Sequence, residues 1–107
     1  MRDWADDHAG LAATLYAGIE DPTARTILDH LIDHPGERLT GEAIQRALGL
    51  PEHRAVARAT YALGQTAAAM GRKRPWTEGQ LGYLMPAAHA ALFRQAREAT
   101  KAPRSPS

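Results

Sequence analysis

PEHRAVARATYALGQTAAAMGRKRP, residues 51–75, reads as one long helix with two unlike faces, followed at once by a basic triplet. On a wheel turning about 100° per residue, Val56, Thr60, Leu63, Ala67 and Met70 fall within about 40° of one direction, which makes a core face. Arg54, Arg58, Tyr61, Gln65 and Arg72 fall within about 40° of the opposite direction. That second face carries guanidinium groups, a phenol and an amide on a helix otherwise rich in alanine. Ala62 and Ala69 flank it, so another surface can approach closely. A helix laid into a DNA groove presents such a stripe. So does a plain solvated face, and the stripe alone leaves both open.

Working back from it, Leu50-Pro51 makes the turn into the long helix, and Gly49 has the place of a left-handed residue that ends a helix. Thr40 caps a short helix over 40–48, with Glu42 in its first turn and Ala43, Ile44, Ala47 and Leu48 facing inward. Glu37-Arg38-Leu39 fits a brief strand. Asp21-Pro22 is a strong helix start. Ala24, Ile27, Leu28, Leu31 and Ile32 then repeat at amphipathic spacing over a helix 21–34, with Arg25, Asp29, His30, Asp33 and His34 on its exposed side. Before that, Asp3 caps a first helix over 3–18, with Asp6 and Asp7 near its positive end. Its stripe is Trp4, His8, Leu11, Ala12 and Leu15, and Gly18 closes it.

Working forward, residues 75–84 form a β-hairpin whose turn is Glu78-Gly79-Gln80. Pro86 opens a last helix over 86–99, with Ala88, Ala91, Leu92 and Ala99 on its core face and Gln95 interrupting it. Phe93 points off that face as a candidate partner contact. Residues 1–99 make a single domain, and KAPRSPS has the composition of a disordered tail, placed over 100–107.

The chain has 107 residues and no Cys, which excludes disulfides, thiolate metal sites and a Cys nucleophile. No apolar run approaches the ~18 residues that span a membrane, and the acidic start lacks the apolar segment of a secretory signal. A cytoplasmic, soluble protein is expected. The net charge is +1 but unevenly spread: residues 1–51 balance to −5 and residues 52–107 to +6. A basic second half points to one electropositive face.

The order of elements resembles the winged helix-turn-helix family over about residues 20 to 98. The parts that carry the resemblance are DPTARTILDHLIDHPG, RLTGEAIQRALGL, HRAVARATYALGQTAAAMG and the wing PWTEGQLGYLM. The chain is also similar to small actinobacterial proteins with this helix, wing and terminal-helix order. The fold class implied is mainly α: a three-helix core with a short hairpin wing and extra N- and C-terminal helices. The function implied is a small bacterial transcriptional regulator binding double-stranded DNA, sequence-specifically or generally, as a homodimer.

In that reading Arg54 and Arg58 enter the major groove, where guanidinium pairs bidentately with guanine. Tyr61 and Gln65 meet base edges or the sugar-phosphate further along. His53 meets a phosphate near the helix N-terminus. Arg72, Lys73 and Arg74 neutralise backbone phosphates. Trp4, Leu11, Leu15 and Phe93 are the candidate dimer interface. The wing tip, Glu78-Gly79-Gln80, is not basic, and the positive charge sits at the wing base instead. The alternative is a winged helix that binds a protein partner and no DNA, favoured by the near-neutral charge and the acidic wing tip.

Other chemistry finds little support. His30 and His34 are four apart beside Asp29 and Asp33, but HExxH is absent and no second ligand pair is evident, so a wet exposed face is expected and no metal is assigned. The only serines, Ser105 and Ser107, lie in the tail. There is no phosphate-binding glycine loop. No catalytic residue, enzyme activity, cofactor or small-molecule ligand is expected.

Overall fold

Val56, Ala59, Thr60, Leu63 and Ala67 are buried along one side of a 15-residue helix, Ala55–Ala69, and α2 (Pro22–Asp33) and α3 (Gly41–Leu48) pack against that helix. The computed structural model describes residues 3–5, 8–52 and 54–101. Its elements are α1 (Ala9–Ala17), α2 (Pro22–Asp33), β1 (Arg38–Leu39), α3 (Gly41–Leu48), α4 (Ala55–Ala69), β2 (Thr77–Gly79), β3 (Gly82–Leu84) and α5 (Ala87–Lys101). The molecule is thus mainly helical with one small antiparallel sheet, strand order β1-β3-β2. Helix α2 packs on α3, α4 and α5, and α1 lies along α5.

Local chemistry sets the helix ends. Asp21 Oδ1 accepts the Thr23 N–H at 3.3 Å, and Pro22 opens α2. Thr40 Oγ1 accepts the Ala43 N–H at 3.0 Å. Gly49 ends α3 with φ 64°, a conformation that costs a side-chain-bearing residue. Gly18 differs from expectation: its φ is −81°, and its N–H bonds back to Thr14 and Leu15 carbonyls as an ordinary last turn. The negative end of α1 is met instead by Arg25, whose Nη2 donates to the Ile19 carbonyl at 2.9 Å while its guanidinium lies 5.3 Å from the Tyr16 ring centre.

The first helix begins at Ala9, not at Asp3. Residues 3–5 are not helical, and Trp4 is drawn into the core: it is 5% exposed, packs edge-on to Phe93 at 4.9 Å, and its Nε1 donates to the Lys73 carbonyl at 2.7 Å. Asp6 and Asp7 lie outside the described residues. The last helix also presents a different face from the one expected. Ala90, Leu92, Phe93 and Ala96 are buried, while Ala88, Ala91 and Ala99 are exposed. An alanine-rich helix has little contrast between its sides, so the one large ring decides which side goes in. Burying each large apolar side chain of this kind contributes roughly 1.5–3 kcal/mol. Helix α5 continues through Lys101, past the expected start of a tail at 100, and residues 102–107 lie outside the described ones.

Smaller corrections concern α3 and the hairpin. Ile44 is buried and Leu48 half-buried, but Ala43 and Ala47 are exposed. Glu78 and Gly79 belong to strand β2, and Gly79 pairs with Gly82, so the turn is Gln80-Leu81. Gly82 has φ 112°, and a Cβ there would stand 2.3 Å from the Leu39 carbonyl oxygen. Glycine is therefore what lets β1 close against β3.

Candidate nucleic-acid interface

The outward side of α4 is the first component of the site. Arg54, Arg58, Tyr61 and Gln65 are all exposed, Tyr61 at 70%. Arg54 stands at the helix N-cap and makes no side-chain capping bond. Arg58 is paired with Glu52, from the segment just before α4. His53 lies outside the described residues. The inward side carries one polar residue, Thr60, satisfied locally: its hydroxyl donates to the Val56 carbonyl at 2.9 Å.

The second component is a groove of about 720 Å³ between α4 and the hairpin. Tyr61, Gln65, Arg72, Lys73 and Arg74 all line it, so five of the eight expected DNA-contacting residues are brought to one concavity. Arg54 and Arg58 are not among its lining residues and stand nearer the start of α4.

The basic triplet is held in place rather than trailing. Gly71 turns the chain out of α4 with φ 75°. The Lys73 carbonyl accepts the Trp4 indole N–H, as described above. Arg72 is half-buried, with Nη2 3.1 Å from His8 Nε2, and its Nε is buried without a hydrogen-bond partner among the described residues. Arg74 crosses α4 at Gly64, where a Cβ would sit 3.2 Å from its Cγ and Nε. Its Nη1 pairs with Glu78 Oε1 at 2.7 Å, and the same Oε1 accepts the Trp76 indole N–H at 3.0 Å.

Several groove residues do not stand out in the sequence: Asp3, Gly64, Trp76, Glu78 as an ion-pair partner, Tyr83 and His89. For Gly64 a signal exists, a helix-interior glycine in an alanine-rich helix, because glycine there costs roughly 1 kcal/mol and needs a reason. The others come together only through tertiary folding.

The expected dimer residues are placed differently. Trp4, Leu15 and Phe93 are 5%, 1% and 0% exposed and belong to the chain's own core, with Leu11 half-buried against it. A side chain that is already covered cannot supply an intermolecular face, so Trp4, Leu15 and Phe93 are core and not interface. The acidic side of α2 is also less open than expected. Arg25, Asp29, His30 and His34 are half-buried. Arg97 of α5 reaches across to Asp33 Oδ1 at 2.8 Å and Asp29 Oδ1 at 3.5 Å.

Charge and burial shift several groups on that side. The Arg97 hydrogen bond holds the Asp33 carboxyl below its ordinary range and in turn raises Arg97. Burial, then the hydrogen bond its hydroxyl donates to Asp29 at 2.8 Å, pushes Tyr16 up to about 12. Burial, then the neighbouring His34, lowers His30; the two rings lie 4.2 Å apart. Among the described residues, no group of three or more His, Cys, Asp or Glu converges as a metal site would need. None of the shifted groups lines the groove. No helix among the described residues is long and apolar enough to cross a membrane.

No curated protein and no solved structure matches the chain. One family model does, over residues 9–100, from the first residue of α1 to the last turn of α5. With that span matched, the chain belongs to DUF6416, a family of unknown function.

Proposed function

We propose that the chain is a winged-helix DNA-binding protein, a small bacterial transcriptional regulator, in which α4 enters the major groove. In this reading α2, α3 and α4 are the three-helix core, α3 and α4 the helix-turn-helix, and β2–β3 the wing. The observation that carries it is the outward side of α4: Arg54, Arg58, Tyr61 and Gln65 are exposed in a row beside a groove that also holds the basic triplet. Arg54 and Arg58 read base edges from the first turns of the helix, and Arg72 and Lys73 bind phosphate. A two-fold dimer extends the site beyond one helix, with its contact on residues other than Trp4, Leu15 and Phe93.

The test is fluorescence anisotropy with labelled duplexes of random sequence at low salt. The parent protein binds, and Arg54→Ala with Arg58→Ala weakens binding to the preferred sequence by ~1–3 kcal/mol for each bidentate arginine–base pairing removed. No binding to any duplex at low salt removes the proposal.

A second reading, a protein-interaction module, is favoured by one specific observation. Glu52 and Glu78 sit on Arg58 and Arg74, so carboxylates interrupt the positive band. Recovery of a protein partner that is lost on Tyr61→Ala, without duplex binding, selects this reading.

A further inference from the structure

The Arg74 side chain is held at two points along its length, and its carboxylate partner is held at a third. Its stem rests on Gly64 of α4, where even a methyl group would crowd Cγ, Cδ and Nε at 3.2–3.3 Å. Its guanidinium meets Glu78 Oε1 at 2.7 Å. That oxygen is itself fixed by the indole N–H of Trp76, which is 4% exposed. A surface ion pair between two long side chains is ordinarily loose and contributes little. This one ties strand β2 to the segment that follows α4, whose arginine lies against α4 at Gly64, with a buried indole aiming the carboxylate and a glycine making room for the arginine. A guanidinium pairs with carboxylate and with phosphate oxygens by the same charge-assisted hydrogen bonds. Glu78 therefore holds Nη1 of Arg74, one of the places where an entering phosphate would pair, on a side chain that is itself 50% exposed.

We infer that Glu78 is a built-in competitor at Arg74 for the anionic oxygens of a polyanion, phosphate or sulfate, and so a residue that sets how strongly the groove discriminates against non-specific polyanions. A phosphate must compete with the carboxylate for Arg74 to contribute fully to affinity. A loosely placed, non-specific polyanion meets an Arg74 whose charge is already partly neutralised at Nη1. A ligand seated deeply by other contacts can make the exchange. Specificity gained by masking a general attraction is a recognised use of a repulsive or competing group. The inference rests on the nucleic-acid reading only for the identity of the natural polyanion.

The experiment is a double-mutant cycle on the full chain: parent, Glu78→Gln, Arg74→Ala and the two combined. The glutamine keeps an oxygen for the Trp76 indole and removes only the charge. Two readouts are taken: the salt concentration that releases each protein from immobilised heparin, and the salt dependence of binding to a random-sequence duplex. Thermal melts establish that each variant is folded, and Arg74→Gln replaces Arg74→Ala if the latter is not. Glu78→Gln is expected to need more salt for release than the parent, while the combined variant needs no more than Arg74→Ala alone.

A gain that persists without Arg74 reports net charge only and overturns the inference. So does no gain from Glu78→Gln, or no retention of any of the four proteins. On duplex, Glu78→Gln is expected to steepen the dependence of log affinity on log salt by about 0.9, one phosphate contact. A positive cycle on heparin with no duplex binding by any protein keeps this inference and removes the DNA-binding proposal. Duplex binding by the parent with a flat heparin cycle does the reverse.

Discussion

Two helices of this chain carry an aromatic residue and arginines at helical spacing, and they have opposite fates. On α5, Phe93 and Arg97 are four residues apart; Phe93 is fully buried and the Arg97 side chain is 12% exposed. On α4, Arg58 and Tyr61 are three apart, at 66% side-chain exposure and 70% exposure. Both arginines hold carboxylates. Arg97 bridges Asp29 and Asp33 of α2, and Arg94 Nη2 adds a bond to the Ile32 carbonyl at 3.3 Å, so α5 is stapled to α2. Arg58 holds only Glu52 in the segment before its own helix. The difference is what lies opposite. Where a partner helix is present, the same residue types become architecture; where none is, they remain available to an outside ligand.

The largest expected contrast is between the two rings. Phe93→Ala leaves a cavity beneath Trp4 and should destabilise the fold by about 3–5 kcal/mol, whereas Tyr61→Ala should stay within about 0.5 kcal/mol. Denaturant midpoints of the two variants measure it. Comparable losses would mean that Tyr61 is packed after all and would break the distinction.

Next come the arginines. Arg97→Ala removes a largely buried guanidinium and its bonds to Asp33 and Asp29 and should cost about 1–3 kcal/mol; Arg58→Ala removes an exposed pair and should cost about 0–1 kcal/mol. The acid limb sharpens this. Asp33 is held below its ordinary range mainly by Arg97, so its contribution is present above about pH 4 and is lost as pH falls through its folded value. Stability should therefore fall less steeply with acid in Arg97→Ala than in the parent, and urea titrations from pH 5 downward test it.

The smallest effect is on the alkaline side. Tyr16 is raised to about 12 in the folded state, against about 10 for a free phenol. A raised group contributes stability that is fully present below about pH 10 and is lost as pH rises through about 12. Tyr16→Phe should lack that alkaline slope. A parent protein whose stability does not change over this window would show that the phenol is not held against Asp29.

Much of the fold is legible in the residues, and the reasons for what is not are physical. Asp21, Thr40 and Gly49 act within one turn of themselves, so their roles can be read locally. The face of α2 is legible because large aliphatic residues alternate with charge, and that of α4 because Val56 and Leu63 stand opposite Arg58 and Tyr61. The face of α5 is not, since a run of alanines leaves the choice to Phe93 and to the Arg97 pairing that only tertiary contact reveals. Trp4 looks like the start of a helix until its indole is seen against Lys73, 69 positions away. The candidate site divides in the same way. Its positive charge can be read from the triplet and the α4 stripe. Its carboxylate counterparts cannot: Glu52 and Glu78 meet Arg58 and Arg74 across non-helical backbone, where spacing carries no rule.

The placement of the indoles has a spectroscopic consequence. The chain has two tryptophans. One donates to the carbonyl of Lys73 and the other to the carboxylate of Glu78, so both fluorophores are hydrogen-bonded within the six residues that run from the triplet into the hairpin. Emission from the unlabelled protein therefore comes from Trp76, which lines the groove, and from Trp4, which sits in the core and touches the groove only through the Lys73 carbonyl. Displacement of Glu78 changes the polarity at one indole, and movement of the triplet changes it at the other. The protein carries its own optical probe at the place where a ligand would be sought.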